Sequence, residues 1–228
     1  MEAPPLQTAR PRAGALPALP ENSLPRAESA VSHRSRPSTG LGETEALKGD
    51  RLMIEHRAYI VAEIPEPVRS QVQALRDSLN ALPVKLPVEI TLAGSSGVGP
   101  IPVGTELSLI ERHLDRTLED FPPFRARFSA IRAFPNTSLF YLEPFDRSPF
   151  DDLHQKLRIS GIPFSEIRWP YNPHCTVRGG APLSADAALK LAARSFPQEE
   201  FWINTVSVYQ LGGTPLDYKL LCQRTLGA

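Results

Sequence analysis

The sequence predicts an α+β fold of two pseudo-symmetric lobes, each with strands and flanking helices, around a central cleft. Short apolar strand patterns alternate with amphipathic helix patterns along most of the 228 residues, which favours mixed α and β structure. Each half also carries one tetrapeptide of the same form, Glu-Ile-Thr-Leu at 89–92 and His-Cys-Thr-Val at 174–177. Both lie on short strand patterns just after a proline, Pro87 and Pro173. The shared form and setting predict an internal pseudo-symmetry.

The first half is predicted to contain a strand, a helix, a second strand, a glycine-rich loop and a second helix. The ranges are 57–64, 65–82, 88–93, 94–100 and 105–119. The first strand is rich in β-branched and apolar residues. The following helix begins with prolines, which are tolerated in the first turn of a helix. Apolar residues at spacings of three and four give that helix a buried face. Thr105 is predicted to cap the second helix,.

The second half is predicted to contain a hairpin, a helix, a loop, a strand, a helix and a closing strand pair. The hairpin strands are 124–134 and 138–142, and the helix runs from Ser148 to a stop at Gly161. The later elements are 162–173, 174–177, 185–196, 201–211 and 218–223. Proline and glycine pairs between these patterns supply the breaks.

The N-terminal segment differs from the rest in composition. Residues 1–50 contain scattered prolines among alanine, serine, arginine and glutamate, without apolar periodicity. Such a segment buries too little apolar surface to offset the entropy lost on ordering, so we expect a disordered tail followed by a folded domain at 51–228. Met53, the second methionine, precedes the first strand. Translation from Met53 is a hypothesis, which a full-length mass of the native protein would contradict.

The charge and the cysteine content exclude several classes of protein. The formal net charge is zero, which argues against a strong electrostatic grip on long nucleic acid but leaves a short nucleotide or an RNA end as a partner. Cys175 and Cys222 are the only cysteines, too few for a disulfide scaffold and typical of a reducing compartment. No apolar run in the sequence approaches membrane-spanning length,. We expect a monomeric, cytoplasmic protein that does not bind membranes.

The spacing inside each tetrapeptide places two polar side chains on one face of a strand,. Successive side chains of a strand alternate between faces, so His174 and Thr176 point the same way,. Imidazole exchanges protons near neutral pH, and a hydroxyl donates a hydrogen bond to phosphate without adding bulk. The other tetrapeptide keeps a hydroxyl at Thr91, whereas Glu89 stands in place of a second histidine.

The chain resembles the 2H phosphoesterase superfamily, specifically its 2′-5′ RNA ligase-like branch. The segments that carry the resemblance are PVEITL at 87–92, SLFYLEPFDRSPFDDLHQKL at 138–157 and NPHCTV at 172–177, supported by the closing strands. The resemblance covers about residues 57–226. It implies a two-lobed α+β fold with an antiparallel sheet in each lobe, in which two His-x-Thr motifs face one another across a cleft.

The resemblance also implies an activity and a set of site residues. Members of this superfamily open 2′,3′-cyclic phosphates or related phosphodiesters, or join RNA ends through a 2′-5′ linkage, without a metal or cofactor. One histidine acts as a general base, the other protonates the leaving oxygen, and the two threonines hold the phosphate. Carried over, His174 and Glu89 take the catalytic positions, and Thr91 and Thr176 take the phosphate-binding positions. The implied partner is a nucleotide or RNA end with a 2′,3′-cyclic or 2′-5′ phosphodiester.

Glu89 leaves two classes of function open. At its ordinary pKa a glutamate is anionic at neutral pH, so it repels a phosphodiester and is a poor general acid. Burial or a bound phosphate raises the pKa of a carboxyl, and Glu89 would then serve as a general base or as a protonated acid. The first class is a phosphodiesterase or RNA-end ligase. The second is a catalytically inactive protein of the same fold that binds a nucleotide or RNA end, or that keeps only the scaffold.

Several other side chains have both a functional and a structural interpretation. They are Arg125, Arg127 and Arg178 as anion contacts, Ser95 and Ser96 as a phosphate cradle, and Trp169 and Tyr171 as groups that stack on a base,. The structural alternatives are a solvated sheet face, a flexible turn and loop packing. His154 is predicted to lie on a helix surface. His33, His56 and His113 fit no motif.

Overall fold

The computed structural model describes residues 52–79, 86–212 and 217–227. The tail predicted at 1–50 and the predicted end of the first helix at 80–82 lie outside these residues. The helices are α1 Val68–Leu79, α2 Leu107–Leu118, α3 Ser148–Arg158 and α4 Ala185–Ala192. The strands are β1 Ala58–Glu63, β2 Glu89–Ala93, β3 Phe124–Ala126, β4 Phe128–Ala133, β5 Phe140–Pro144, β6 Cys175–Arg178, β7 Phe201–Ile203, β8 Thr205–Gly212 and β9 Asp217–Thr225.

Within the described ranges the strands form three antiparallel sheets. One has the order β2-β1-β8-β9, another has the order β4-β5-β6, and β3 pairs with β7 alone. The strand β2 therefore lies at the edge of the first sheet, and β6 lies at the edge of the second. Each of these edge strands carries the threonine of one tetrapeptide.

Two similar units account for the internal symmetry. In β1-α1-β2 and in β5-α3-β6, two antiparallel strands are connected through a helix. The helices are exchanged between the sheets, because α1 packs against β6 and α3 packs against β2. The halves therefore interlock, and β2 and β6 come to lie beside each other. The predicted two-lobed, pseudo-symmetric α+β fold is confirmed.

The apolar core determines which side chains face the site. On β2 the fully buried side chains are Ile90 and Leu92, and on β6 they are Cys175 and Val177. Burial of each large apolar side chain contributes about 1.5–3 kcal/mol. Because side chains alternate along a strand, the polar residues of each tetrapeptide lie on the face of their strand opposite to these buried side chains. None of the helices in the described part of the chain is long and apolar enough to cross a membrane.

The segment predicted as one hairpin strand at 124–134 is in fact two strands. The strand β4 pairs with β5 as predicted, with Ile131 opposite Leu142. The strand β3 instead pairs with β7 in a separate sheet. The two strands are separated at Arg127, whose carbonyl accepts the N–H of Phe145 at 2.8 Å. The prediction of one continuous strand is wrong because the partner of β3 comes from far along the chain.

Two helix ends also differ from the sequence prediction. Helix α2 begins at Leu107, after Glu106, which makes no side-chain capping bond. The hydroxyl of Thr105 donates instead to the carbonyl of Pro102 at 2.8 Å, so the predicted cap at Thr105 is wrong. Helix α4 ends at Ala192, short of the predicted end at 196.

Candidate functional site

The two tetrapeptides place four polar side chains on adjoining edges of the two larger sheets. Glu89 and Thr91 belong to β2, Thr176 belongs to β6, and His174 immediately precedes β6. All four residues are partly buried. We refer to Glu89 with Thr91, and to His174 with Thr176, as the two half-sites. The described residues contain no group of three or more His, Cys, Asp or Glu side chains placed to hold a metal ion.

Side chains from elsewhere align the two half-sites at both ends. Arg76 of α1 donates to the carbonyl of Pro87 at 3.0 Å and to the carbonyl of Thr176 at 2.9 Å. At the other end, the hydroxyl of Tyr171 donates to the carbonyl of Thr91 at 3.3 Å. The beginning of β2 thus lies near β6, and the middle of β2 lies near the chain that leads into β6.

These contacts fit two segments that run in opposite directions, and in that alignment Glu89 pairs with His174. Arg76 also reaches Cys175, the neighbour of His174, since its Nη2 lies 3.9 Å from the sulfur. The two positions that the resemblance implies as catalytic thus lie on neighbouring segments, β2 and the chain that enters β6.

His174 is held as a neutral imidazole. Its Nδ1 lies 2.7 Å from the carbonyl oxygen of Asn172, and because a carbonyl only accepts, Nδ1 carries the hydrogen and Nε2 is left as the acceptor. The rings of Phe134 and Tyr141 lie edge-on at 5.0 and 5.3 Å. Burial lowers the pKa of His174 below its usual value, and the hydrogen bond to Asn172 opposes this only in part. At neutral pH, His174 is therefore suited to accept a proton.

Glu89 holds its proton far more strongly than an ordinary glutamate. Burial raises its pKa from 4.5 to about 7, although the positive charge of Arg76 and the hydrogen bond from Thr91 lower it. The side chain keeps partial contact with solvent, but dense protein surroundings remove much of the hydration that stabilises its charged form. Near neutral pH the carboxyl is thus present in both protonation states, which suits it to donate a proton.

The two threonines differ in their surroundings. The Thr91 hydroxyl donates to the two carboxylate oxygens of Glu89, at 3.2 and 3.3 Å. Thr176 lies opposite Tyr141 of β5, on the face of the sheet that this ring occupies. A phosphate must therefore compete with ionised Glu89 for the hydroxyl of Thr91.

Comparison with known proteins assigns the chain to a family. A model of the 2′-5′ RNA ligase superfamily matches residues 64–215. The chain belongs to this superfamily. No curated protein matches it significantly.

Solved structures show the same fold. The apo form of E. coli LigT is 14% identical at a TM-score of 0.53, over 76% of this chain and 98% of LigT. E. coli LigT complexed with 3′-AMP is 16% identical at a TM-score of 0.52, over 76% and 98%. TT0787 of Thermus thermophilus is 20% identical at a TM-score of 0.54, over 75% and 98%. At these identities the likeness concerns the fold alone.

In this member of the superfamily, the loop after β2 is tied to the loop before β6. The N–H of Gly97 donates to the carbonyl of Trp169 at 2.8 Å. The N–H of Asn172 donates to the hydroxyl of Ser96 at 3.2 Å. Ser96 is buried, whereas Ser95 is exposed. These contacts favour the structural interpretation of the loop, a turn that supports the site, over a phosphate cradle.

His154 is buried, so its predicted place on a helix surface is wrong. Only 6% of the residue is exposed. Its Nδ1 donates to the carbonyl of Leu92 at 2.7 Å, and its ring stacks on Tyr171 with centroids 3.8 Å apart. The error arises because α3 turns this face towards β2, which a local pattern does not reveal. The stacked pair of His154 and Tyr171 thus supports β2 through hydrogen bonds to the carbonyls of Leu92 and Thr91.

We predict that Gly97→Ala destabilises the protein more than Gly104→Ala. Both glycines have positive φ angles, +73° and +80°, where an L side chain costs about 1–2 kcal/mol. A Cβ at Gly104 meets no atom within 4 Å, whereas one at Gly97 overlaps the ring of His154 and lies 2.8 Å from Cβ of Tyr171. Urea unfolding of both variants measures the difference. Equal losses would show that the stacked pair moves aside without cost.

The three arginines that were candidate anion contacts are engaged elsewhere. Arg125 forms an exposed ion pair with Glu200 at 2.9 Å. Arg127 lies over the ring of Phe145 at 3.5 Å. Arg178 donates to two backbone carbonyls, each at 2.9 Å. These contacts favour the structural interpretation for all three.

Arg76 is the site residue that the sequence reasoning did not identify. Only 4% of it is exposed, and it shares the buried face of α1 with Val72 and Leu75. A charged residue within an apolar helix stripe is itself a signal, because a buried charge requires partners. One of its partners, Thr176, lies 100 residues along the chain, which is why the sequence alone did not show its role.

Proposed function

We propose that the protein hydrolyses a 2′,3′-cyclic phosphodiester on a nucleotide or RNA end, with His174 as general base and Glu89 as general acid. The main support is the placement of these two groups on neighbouring segments, β2 and the chain that enters β6. Burial lowers the pKa of His174 and raises that of Glu89 to about 7, which favours a neutral base beside a protonated acid. Membership of the 2′-5′ RNA ligase superfamily supports the class of substrate.

In the proposed step, water attacks the cyclic phosphorus while Nε2 of His174 takes one of the protons of that water. The bond between phosphorus and one ribose oxygen breaks, and the proton of Glu89 passes to that oxygen. The products are a phosphomonoester and a free ribose hydroxyl. His174 is then protonated and Glu89 is ionised, and exchange of protons with water restores both.

We propose that Thr91 and Thr176 hold the phosphate during this step. Ionised Glu89 accepts the hydrogen bond of the Thr91 hydroxyl, and a protonated carboxyl is a weaker acceptor. The protonation state that lets Glu89 act as an acid therefore also releases Thr91 towards the phosphate. The solved complex of E. coli LigT with 3′-AMP, a protein of the same fold, supports a nucleotide as the ligand.

His174→Ala is expected to lower the rate of 2′,3′-cyclic AMP hydrolysis by about 10²–10⁴-fold, the usual contribution of one proton-transferring group. His56→Ala is a suitable control, because His56 is exposed and lies outside both motif strands. The control is expected to keep the parent rate. Turnover that survives in His174→Ala would contradict the assigned base.

One contact favours a second candidate function, binding without turnover. While Glu89 is ionised, it occupies the Thr91 hydroxyl and places a negative charge beside the phosphate position. The protein would then be a catalytically inactive nucleotide or RNA-end binding protein. Calorimetry with 3′-AMP distinguishes the two, since binding in a protein that does not turn over cyclic AMP supports this second function. Absence of both binding and turnover would exclude both functions.

A further inference from the structure

The two half-sites are not joined by the hydrogen-bond ladder of a sheet. The strand β2 is the edge of one sheet and pairs with β1, and β6 is the edge of another and pairs with β5. A ladder ordinarily fixes neighbouring strands about 4.8 Å apart. Since β2 and β6 belong to different sheets, other contacts must set their separation.

Arg76 spans the gap between these strands. Its Nε donates to the carbonyl of Thr176 at 2.9 Å. Its Nη1 donates to the carbonyls of Leu86 at 2.8 Å and Pro87 at 3.0 Å. Its Nη2 lies 3.9 Å from the sulfur of Cys175. One guanidinium thus contacts β6 and the chain entering β2.

The chemistry of the guanidinium makes the separation between β2 and β6 hard to change. A guanidinium is planar, and its donors form a fork of fixed width. Arg76 is almost fully buried, so carbonyls that moved away would have little water to replace their lost donor. The backbone of β6 and that of the chain entering β2 are therefore held at a distance from each other that the fork of donors determines.

We propose that Arg76 is the positioning residue that fixes the separation of the two half-sites. The term half-site rests on the proposed function, but the effect of Arg76 on strand separation does not depend on turnover. Arg76→Lys tests the proposal, because lysine keeps the charge while offering one donor nitrogen in place of the fork.

The single buried thiol beside Arg76 reports on the separation directly. Cys175 is fully buried, and its sulfur lies 3.9 Å from Nη2 of Arg76. Since the chain has two cysteines, Cys222→Ser leaves Cys175 as the only thiol. In this background, Cys175 of Arg76→Lys is expected to react with Ellman's reagent about ten or more times as fast as Cys175 of the parent. The reason is that local opening exposes the thiol.

A variant that weakens the fold elsewhere separates local opening from general loss of stability. Leu114→Ala removes a fully buried side chain of α2, which packs against β9 and α3. At matched free energy of unfolding, Cys175 is expected to react faster in Arg76→Lys than in Leu114→Ala. Reaction rates that follow the unfolding free energy alone across all variants would overturn the proposal. If Arg76→Lys does not fold, Arg76→Met provides the same comparison without a buried ammonium.

Kinetics provide a readout that a purely structural role would not change. Misplacement of reacting groups by about 1 Å costs about 10²-fold in rate, so Arg76→Lys is expected to lower kcat about 10²-fold and leave KM nearly unchanged. Arg69→Lys is the matched control, because Arg69 lies on the same helix, has a side chain that is 43% exposed, and binds Glu63 and the carbonyl of Ile64. An unchanged kcat in Arg76→Lys would contradict the positioning role. A parent without turnover would contradict the proposed function only, and the thiol measurement would still test Arg76.

Discussion

Glu89→Gln is expected to lower the rate of 2′,3′-cyclic AMP hydrolysis at pH 7 by about 10²–10⁴-fold. Glutamine has nearly the same shape as glutamate, and its carbonyl accepts the hydrogen bond that Thr91 gives to Glu89,. It has no acidic proton to transfer to the leaving oxygen. The loss therefore reports on proton donation and not on a change in the shape of the site.

The pH dependence of cyclic AMP hydrolysis by the parent protein is the matching test. The proposed step requires neutral His174 and protonated Glu89. Burial lowers the pKa of His174 below 6.5 and raises that of Glu89 to about 7. The rate is therefore expected to rise with pH through the pKa of His174 and to fall above about 7, giving a bell-shaped profile.

Glu89→His distinguishes an altered site from an inactive one. This substitution restores the pair of histidines that the superfamily resemblance implies, and it removes a negative charge from the phosphate position. If the parent turns over cyclic AMP and Glu89→Gln does not, Glu89 is the acid. If the parent is inactive and Glu89→His gains turnover, the site has kept its geometry and lost one proton-transferring group. Equal turnover of the parent and Glu89→Gln would contradict the proposed acid.

Local patterns were sufficient to predict the faces and most of the elements. The alternation of Glu89, Ile90 and Thr91 places the polar pair on one face of β2 because side chains of a strand alternate regardless of context. The stop of α3 near Gly161 follows from a single residue, which has a φ of +91°,. These features depend on neighbours in sequence, so the sequence alone contains them.

Features that depend on distant segments could not be predicted in this way. The strand β3 pairs with β7, so the break near Arg127 has no local signal. His154 is buried only because α3 packs against β2 of the other half. The raised pKa of Glu89 likewise results from the surroundings that the complete fold provides. Sequence reasoning left the state of this carboxyl open because its hydration is a property of the packed structure.

Glu89→Gln is also expected to stabilise the fold above neutral pH by about 3 kcal/mol. Each pKa unit corresponds to about 1.36 kcal/mol, and the pKa of Glu89 rises from 4.5 in the unfolded chain to about 7 in the fold,. Between these values the folded protein binds more protons at this site than the unfolded chain. Stability therefore falls as the pH rises from 4.5 to 7 and levels off above 7. Glutamine has no proton to lose, so the variant avoids this fall.

The measurement is the free energy of unfolding in urea for the parent and for Glu89→Gln, from pH 4 to pH 8. The two proteins are expected to be nearly equal in stability below pH 4.5 and to diverge up to pH 7. His154 and His174, whose pKa values burial lowers, give the opposite slope in both proteins, so their effect cancels in the difference.

Glu66→Gln is the contrasting control. The hydrogen bond from Ser70 lowers the pKa of Glu66, which is fully exposed. Its ionised form therefore stabilises the fold above its ordinary pKa, and the substitution is expected to have a small effect of opposite sign. A stability difference between the parent and Glu89→Gln that does not change from pH 4.5 to pH 7 would show that Glu89 titrates as an ordinary carboxyl. Glu89 would then be ionised at neutral pH, which would remove the basis for its role as the acid and favour binding without turnover.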